Sequence, residues 1–480
     1  RHQEACALVD VVLDQVLAEQ LVPSLVRRPL ELRGGLEVRG RVGHRPLRAW
    51  RILKIPPTYT RALALGPDGN FYVGDEGQLG VPGRGKDDRV IGAGLAGWTT
   101  VREFRKLDTA TPVVVVTQDS GDFYAKPSLS NAFAQKRSPE QLVSTPAAKM
   151  VETLNVVLLD HASVTQVDTA GRSVTLTRGD AVQTLAYSQL VLAMGAQPIR
   201  VPVQGNGADQ VHSINSLDDF KVMFSDLSPL AVGASSSEND SKSVVIMGAG
   251  LIGCEFANDL VQSGFQVHVA DPSSRPLAAL LPEAASMQLA DALRALGVQW
   301  HFGTTVQGVN RGEGSLQVTL SNGNTLTAHA VLSAIGLRAD TRIAAAAGIA
   351  VERGVVVDAQ LQTSAAQVFA LGDCAQYASA GQRTLPYVMP IMHAAKALAA
   401  TLAGTPTELE FPLMPVSIKT PALPLVIAAA HPSIVGQWRV DDTANTDAWV
   451  FVDTQGQQRG FALCGKQTAR RMEFAKRTMG

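Results

Sequence analysis

The 480-residue sequence predicts an α/β protein built on two parallel, nucleotide-binding sheets, and three observations carry that expectation. Two glycine-rich turns, Gly92-Ala93-Gly94-Leu95-Ala96-Gly97 and Gly248-Ala249-Gly250-Leu251-Ile252-Gly253, each open a helical pattern. Downstream of both, Val368-Phe369-Ala370-Leu371 reads as an apolar strand running into Gly372-Asp373-Cys374-Ala375. One GxGxxG is weak evidence, because loops reach that composition by chance. Two in one chain point to a pair of sheets able to bring two redox cofactors face to face.

The chemistry of the two turns is the same. The first glycine permits a tight strand-to-helix turn, the second lets backbone approach a pyrophosphate, and the third allows close packing of helix on strand. The helix N-terminus then faces the negative charge. An amphipathic run, Leu251 to Gln262, starts within the second turn, and the short strand Gln266 to Ala270 follows, ending in Asp271, 23 residues beyond Gly248. A carboxylate there accepts hydrogen bonds from ribose hydroxyls and repels a 2′-phosphate, favouring NADH over NADPH. Nearby Arg275 offers the opposite preference, since a guanidinium pairs with that phosphate.

Around the first turn, a helix from Leu95 to Leu107 and a buried-type strand from Pro112 to Val116 are expected, with Asp119 27 residues after Gly92, where a ribose-binding acid belongs. The preceding strand is irregular. A parallel first strand is normally about five apolar residues, whereas Lys86-Asp87-Asp88-Arg89-Val90-Ile91 is charged almost up to the turn.

Further runs bring a resemblance into view. They are Val101 to Asp108, Gly121-Asp122-Phe123-Tyr124-Ala125-Lys126-Pro127, Leu129-Ser130-Asn131-Ala132, Leu192-Ala193-Met194-Gly195-Ala196, Gly248 to Glu255, and Pro386-Tyr387-Val388-Met389-Pro390-Ile391-Met392-His393. In that order, from Val90 to the C-terminus, the chain resembles bacterial rubredoxin–NAD reductases within the pyridine-nucleotide-dependent flavoprotein reductases. The resemblance implies two Rossmann-like domains, an FAD domain (88–217 and 340–405) interrupted by an inserted NAD domain (218–339), and a C-terminal α/β domain (406–480) forming the dimer or partner face.

It also implies roles. Gly92, Gly94 and Gly97 would hold the FAD pyrophosphate, and Asp373 would bond the ribityl chain. Lys126 and Pro127 match the pair beside the isoalloxazine ring, and Glu255 matches an acid near the nicotinamide that usually pairs with that lysine. Gly248, Gly250 and Gly253 would take the NADH pyrophosphate, with Asp271 on its ribose. The helix starting near Tyr387 would aim its positive end at the flavin pyrimidine. Bland alternatives stand beside these roles: a solvated lysine at 126, a helix-favouring acid at 255, and an ordinary turn aspartate at 373.

Four cysteines, Cys6, Cys254, Cys374 and Cys464, form no CxxC or CxxxxC pair, and the segment Phe123 to Asn131 carries serines but no sulfur. A dithiol mechanism is therefore not expected, and electrons should leave the flavin directly for an external carrier. Cys254 and Cys374 read as packing residues within the turns. No metal site is expected. A net charge of −1 gives no reason to invoke nucleic acid. No apolar stretch approaches membrane-spanning length, no secretory signal is evident, and the few cysteines suit the cytoplasm.

The coarse order continues with helices at Lys126–Lys136 and Pro139–Glu152, an antiparallel insert around Ser173–Thr177 and Ala181–Leu185, and a polar loop at 234–241. Helices follow at Pro282–Leu296 and Val388–Leu402, and Pro415 to Met479 makes the last domain. Residues 1–87 fit no part of this plan. They are arginine-rich, with a helix expected at Ala7–Val22 and a hairpin across Leu65–Val73, and lack the four cysteines of an iron-binding module. A disordered extension and a gene-boundary or frame artefact are both open readings.

Two classes of function follow. The first is an FAD-dependent NADH reductase delivering single electrons to rubredoxin, or to the ferredoxin of an oxygenase system. The second is a catalytically silent flavin- or nucleotide-binding scaffold. Lys466, Arg470, Arg471, Lys476 and Arg477 form either a docking patch for an acidic carrier or a solvated helix face.

Overall fold

The computed structural model describes residues 87–231, 242–441 and 447–479, with short strands at 41–42, 45–46, 51–54, 62–65, 71–75 and 78–80. The helix expected at 7–22 and the polar loop at 234–241 lie outside the described residues. Contacts divide the chain into two units, the smaller being 1–87 with 171–174 and 184–188. Its strands Arg51–Lys54, Ala62–Leu65, Phe71–Asp75 and Gln78–Gly80 form an antiparallel meander. The hairpin expected around residues 65–73 is present, with Leu65 opposite Phe71.

Three larger sheets of different character organise the larger unit, beside smaller two- and three-stranded ones. In the first, Val157–Leu159, Val113–Val116 and Asp87–Ile91 lie side by side in parallel, and Leu190 to Leu192 pair in parallel with Val368–Ala370. Four consecutive buried valines suit a strand covered on both faces. The charged first strand forms nonetheless: Val90 and Ile91 reach the core, and its backbone pairs with the valine strand.

The second sheet takes the order Val211–His212, Ala330–Ser333, Ser243–Met247, Gln266–Asp271, Gln299–Phe302, all parallel. Its strands fall in sequence between Leu192 and Val368, so the second sheet is an insertion in the first. The third sheet is antiparallel, in the order Val416–Ile418, Leu425–Ala428, Gln458–Cys464, Ala448–Asp453, Gly436–Val440. The helix Arg471–Met479 covers it through Phe474, whose ring lies 5.6 Å from that of Phe461.

One buried cluster joins the 129–142 segment to the second and third sheets. It includes Leu129 and Phe133, then Val244, Phe256 and Leu260, then Ile418, Leu425 and Trp449. The Leu251–Gln262 helix lies within that cluster, and eight of its residues, from Gly253 to Leu260, are buried.

Two expected helices come out differently. Instead of a helix over 126–136 there is a short 3-10 turn, Lys126–Asn131, which loses helical geometry at Ser130. The amides of Phe133 and Ala134, which would continue a helix, donate to the Asp259 carboxylate at 3.1 and 2.8 Å. The helix expected over 139–152 is two, Pro139–Leu142 and Ala147–Leu154, separated by the strand Val143–Thr145. Pro146 disfavours helical geometry at Thr145, which pairs with Phe123 instead. The helices Leu251–Gln262, Glu283–Ala295 and Val388–Leu402 lie where the pattern put them.

Candidate functional site

The two glycine-rich turns have the same local geometry. Gly92 and Gly248 adopt φ of +111° and +101°, and a Cβ on them would stand 2.3 Å from Ala193 O and 2.8 Å from Ala334 O. At Gly97 and Gly253 a Cβ would stand 1.8 and 2.0 Å from the carbonyl oxygens of Gly92 and Gly248. These four glycines are dictated by contact within the protein. Gly94 and Gly250 are not, since nothing lies within 4 Å of their Cβ positions.

Open space at the middle glycine is what a pyrophosphate requires of the backbone. Gly94 and Gly250 are also the N-caps of Leu95–Arg105 and Leu251–Gln262, and neither helix has a side-chain cap. Amide donors of both first turns are therefore available to an anion. The residues present fit two dinucleotides, one at each turn.

The acids expected beside each turn lie at the strand ends. Asp119 follows the Val113–Val116 strand, and its Oδ1 accepts from Thr117 Oγ1 (2.7 Å) and Gly121 N (2.9 Å). Asp271 closes the Gln266–Asp271 strand and accepts from Ala249 N and Ser273 N, both at 2.7 Å. It thus holds the second turn's own backbone. Arg275 donates to Ala278 O at 3.2 Å.

Asp373 lies in the 3-10 turn Gly372–Cys374, which packs against the first helix: a Cβ on Gly372 (φ +82°) would stand 2.8 Å from that of Ala96. Burial raises the Asp373 pKa, and the charge of Lys126 opposes it. Burial likewise lowers the Lys126 pKa, against the fields of Asp373, Asp219 and Asp119. The structure thus brings Lys126, Asp373 and Asp119 into one electrostatic group. Pro127 follows Lys126 in the same 3-10 turn. Lys126 Nζ donates to Asn215 Oδ1 at 3.1 Å, and Asn215 Nδ2 donates in turn to Ala196 O at 2.7 Å.

The expected Lys126–Glu255 pair is not formed. Glu255 pairs with Lys419, whose Nζ lies 2.6 Å from Oε2 and whose backbone N donates to Oε1 at 3.0 Å. Ser130 Oγ also donates to Oε2, at 2.7 Å. The reason is positional: Lys419 follows the Val416–Ile418 strand directly against the Leu251–Gln262 helix, while Lys126 is held by Asn215.

Lys419, Ser130, Asn215 and Asp259 were not singled out from sequence. One signal was available. Glu255 and Asp259 stand four apart on a mostly apolar helix, so two acids share one inward face and need partners there. Burial raises the Asp259 pKa to about 6, against the opposing effects of the Ala134 and Phe133 amides and Lys419.

Among the described residues the three cysteines, Cys254, Cys374 and Cys464, are free and buried. Burial pushes the Cys374 and Cys464 thiols up to about 12, so neither provides a thiolate at neutral pH. No group of described residues could hold a metal ion, and no described helix is long and apolar enough to cross a membrane.

A parallel sheet inserted in another and two matched glycine turns define an α/β protein with two candidate dinucleotide sites. The chain belongs to the pyridine nucleotide-disulphide oxidoreductase family, which matches residues 87–400. Residues 408–478 match a second family, the rubredoxin binding C-terminal domain. The chain is 41% identical to a rubredoxin-NAD(+) reductase of Alcanivorax borkumensis, over 81% of this chain and 97% of that protein. It is 39% identical to the rubredoxin-NAD(+) reductase of Acinetobacter baylyi, over 78% and 93% of the two chains. A nitric oxide reductase FlRd-NAD(+) reductase of Aliivibrio fischeri is 36% identical over 78% and 90%. The fold is shared with putidaredoxin reductase in its covalent complex with putidaredoxin, at a TM-score of 0.71 and 22% identity, covering 82% of this chain and 93% of that one. Family and relatives together make this chain an enzyme, an oxidoreductase using FAD and NADH.

Proposed function

We propose that the chain is an NADH-dependent rubredoxin reductase. The match of residues 408–478 to the rubredoxin binding domain carries this reading, because the nucleotide turns are shared by enzymes with many acceptors. Bound FAD supplies the conversion of a two-electron hydride donor into a source of single electrons. The protein's work is to bind, orient and set the field.

Gly92, Gly94 and Gly97 would hold the FAD pyrophosphate at the open N-terminus of the Leu95–Arg105 helix, with Asp119 for the adjoining ribose. Asp373, in the turn over Ala96, would bond the ribityl chain, and Lys126 with Pro127 would flank the ring, where a lysine charge would favour the reduced, electron-rich flavin. Gly248, Gly250 and Gly253 would hold the NADH pyrophosphate, and Asp271, which fixes the turn, would serve its ribose. Glu255, on the helix that opens at the second turn, would lie near the nicotinamide. Neither Lys126 nor Glu255 would have to move a proton, because the cofactors supply the hydride chemistry.

The C-terminal sheet and its helix receive the carrier. Of the five basic residues there, Arg470 is paired with Glu473 and Arg477 with Asp441, and both lie over the Phe474 ring. Lys466, Arg471 and Lys476 are assigned to an acidic partner. Free cysteines suit a reducing compartment, which supports the cytoplasm. Reduction of purified rubredoxins and ferredoxins by the protein with NADH tests the reading. Rubredoxin should be reduced much faster, and a preference for ferredoxin would overturn the carrier assignment.

A further inference from the structure

We propose that Lys419 is a positioning residue that neutralises Glu255, so that the C-terminal domain sets how the site discriminates NADH from NAD+. This rests on the placement of Glu255 at the nicotinamide argued above.

The geometry is specific. The Glu255 side chain is only 7% exposed, yet both its oxygens are engaged by one residue, Oε2 by the Lys419 ammonium and Oε1 by the Lys419 amide. The same ammonium donates to Pro127 O at 2.5 Å and to Ser130 Oγ at 2.8 Å. The Ser130 hydroxyl in turn donates to Glu255 Oε2 at 2.7 Å. Lys419 therefore ties the residue after Lys126 to the acid after the second glycine turn, from a third part of the chain.

The attachment of this segment does not depend on the lysine side chain. Ala422 N donates to Asn258 Oδ1 at 3.0 Å, one residue short of a turn beyond Glu255, and Thr420 Oγ1 closes the loop on Leu423 O at 2.8 Å. Removing the ammonium should leave backbone contacts at both Glu255 and Asn258, and with them the domain packing.

The two nicotinamides differ by a unit of positive charge on the ring. A site whose carboxylate is neutralised favours neither form through that charge. Without Lys419, a buried carboxylate facing the ring attracts NAD+ over NADH. Without Glu255, the remaining ammonium does the reverse. The signs of the two effects are opposite, which a purely structural pin would not produce.

The test uses the FAD-loaded full chain under anaerobic conditions, measuring half-saturating NADH for flavin bleaching and the dissociation constant of NAD+ by calorimetric titration. Lys419→Met should shift relative affinity toward NAD+ by about fivefold to tenfold. Lys419→Arg should restore most of it, and Glu255→Gln should shift it toward NADH. Should the methionine variant lose its fold, Lys419→Gln is read in the same way. Unchanged ratios in Lys419→Met or Lys419→Gln, or shifts of the same sign in the lysine and glutamate variants, would overturn the proposal while leaving the reductase reading intact. Wild-type protein that holds FAD but is not bleached by NADH would instead overturn the reading beneath it.

Discussion

Lys126 and Asp373 show how single charges are held in this site. Each is shifted toward its neutral form by burial, and each opposes that shift in the other. Lys126→Ala should leave FAD bound but slow its reduction by NADH, on the order of tenfold for the ~1.4 kcal/mol that one such interaction represents. Stopped-flow bleaching checks this, and unchanged hydride transfer and flavin potential would remove Lys126 from the flavin. Asp271→Ala should narrow the preference for NADH over NADPH, again by roughly tenfold, in steady-state KM ratios. Asp259 has a pH signature. Its folded pKa, raised to about 6, lies above the ordinary 3.8. The folded state therefore binds its proton more readily than the unfolded state. This stabilising contribution is complete below about pH 4 and is lost as pH rises through about 6. Asp259→Asn should flatten that part of the Tm-against-pH profile.

At the scale of elements, the paired turns separate folding from binding. Gly97→Ala would drive a Cβ to 1.8 Å from Gly92 O and should cost about 3 kcal/mol or more in stability. Gly94→Ala meets open space and should cost about 1 kcal/mol or less, yet obstruct FAD, weakening its retention by at least about tenfold. Melting of the apoprotein and flavin titration distinguish the two. These turns were legible because their chemistry is local: glycines at three fixed positions determine the backbone. The strand before Gly92 was harder to read, since its charged residues obscure a strand made by pairing with Val113–Val116. The 126–136 segment was misread because the acid that takes its amides, Asp259, lies over a hundred residues away. Lys419 had no motif at all. Its role exists only once the third sheet is set against the Leu251–Gln262 helix.

On the scale of the whole molecule, that helix is where the parts meet. Its N-terminus opens on the second glycine turn, Glu255 and Asp259 hold Ser130, Phe133 and Ala134, and Glu255 and Asn258 hold Lys419 and Ala422. The second sheet, the 126–134 segment and the third sheet are thus fastened to one rod, while the two glycine turns sit on separate sheets. Reduction of the flavin by NADH requires both turns to be occupied and their cofactors to be close enough to react. Anaerobic titration of the purified, FAD-reconstituted protein with NADH tests this most directly. The flavin absorbance should bleach fully at about one equivalent of NADH per flavin, as a two-electron hydride transfer requires. A protein that retains no flavin when FAD is supplied in excess, or whose bound flavin stays yellow under NADH, would contradict it.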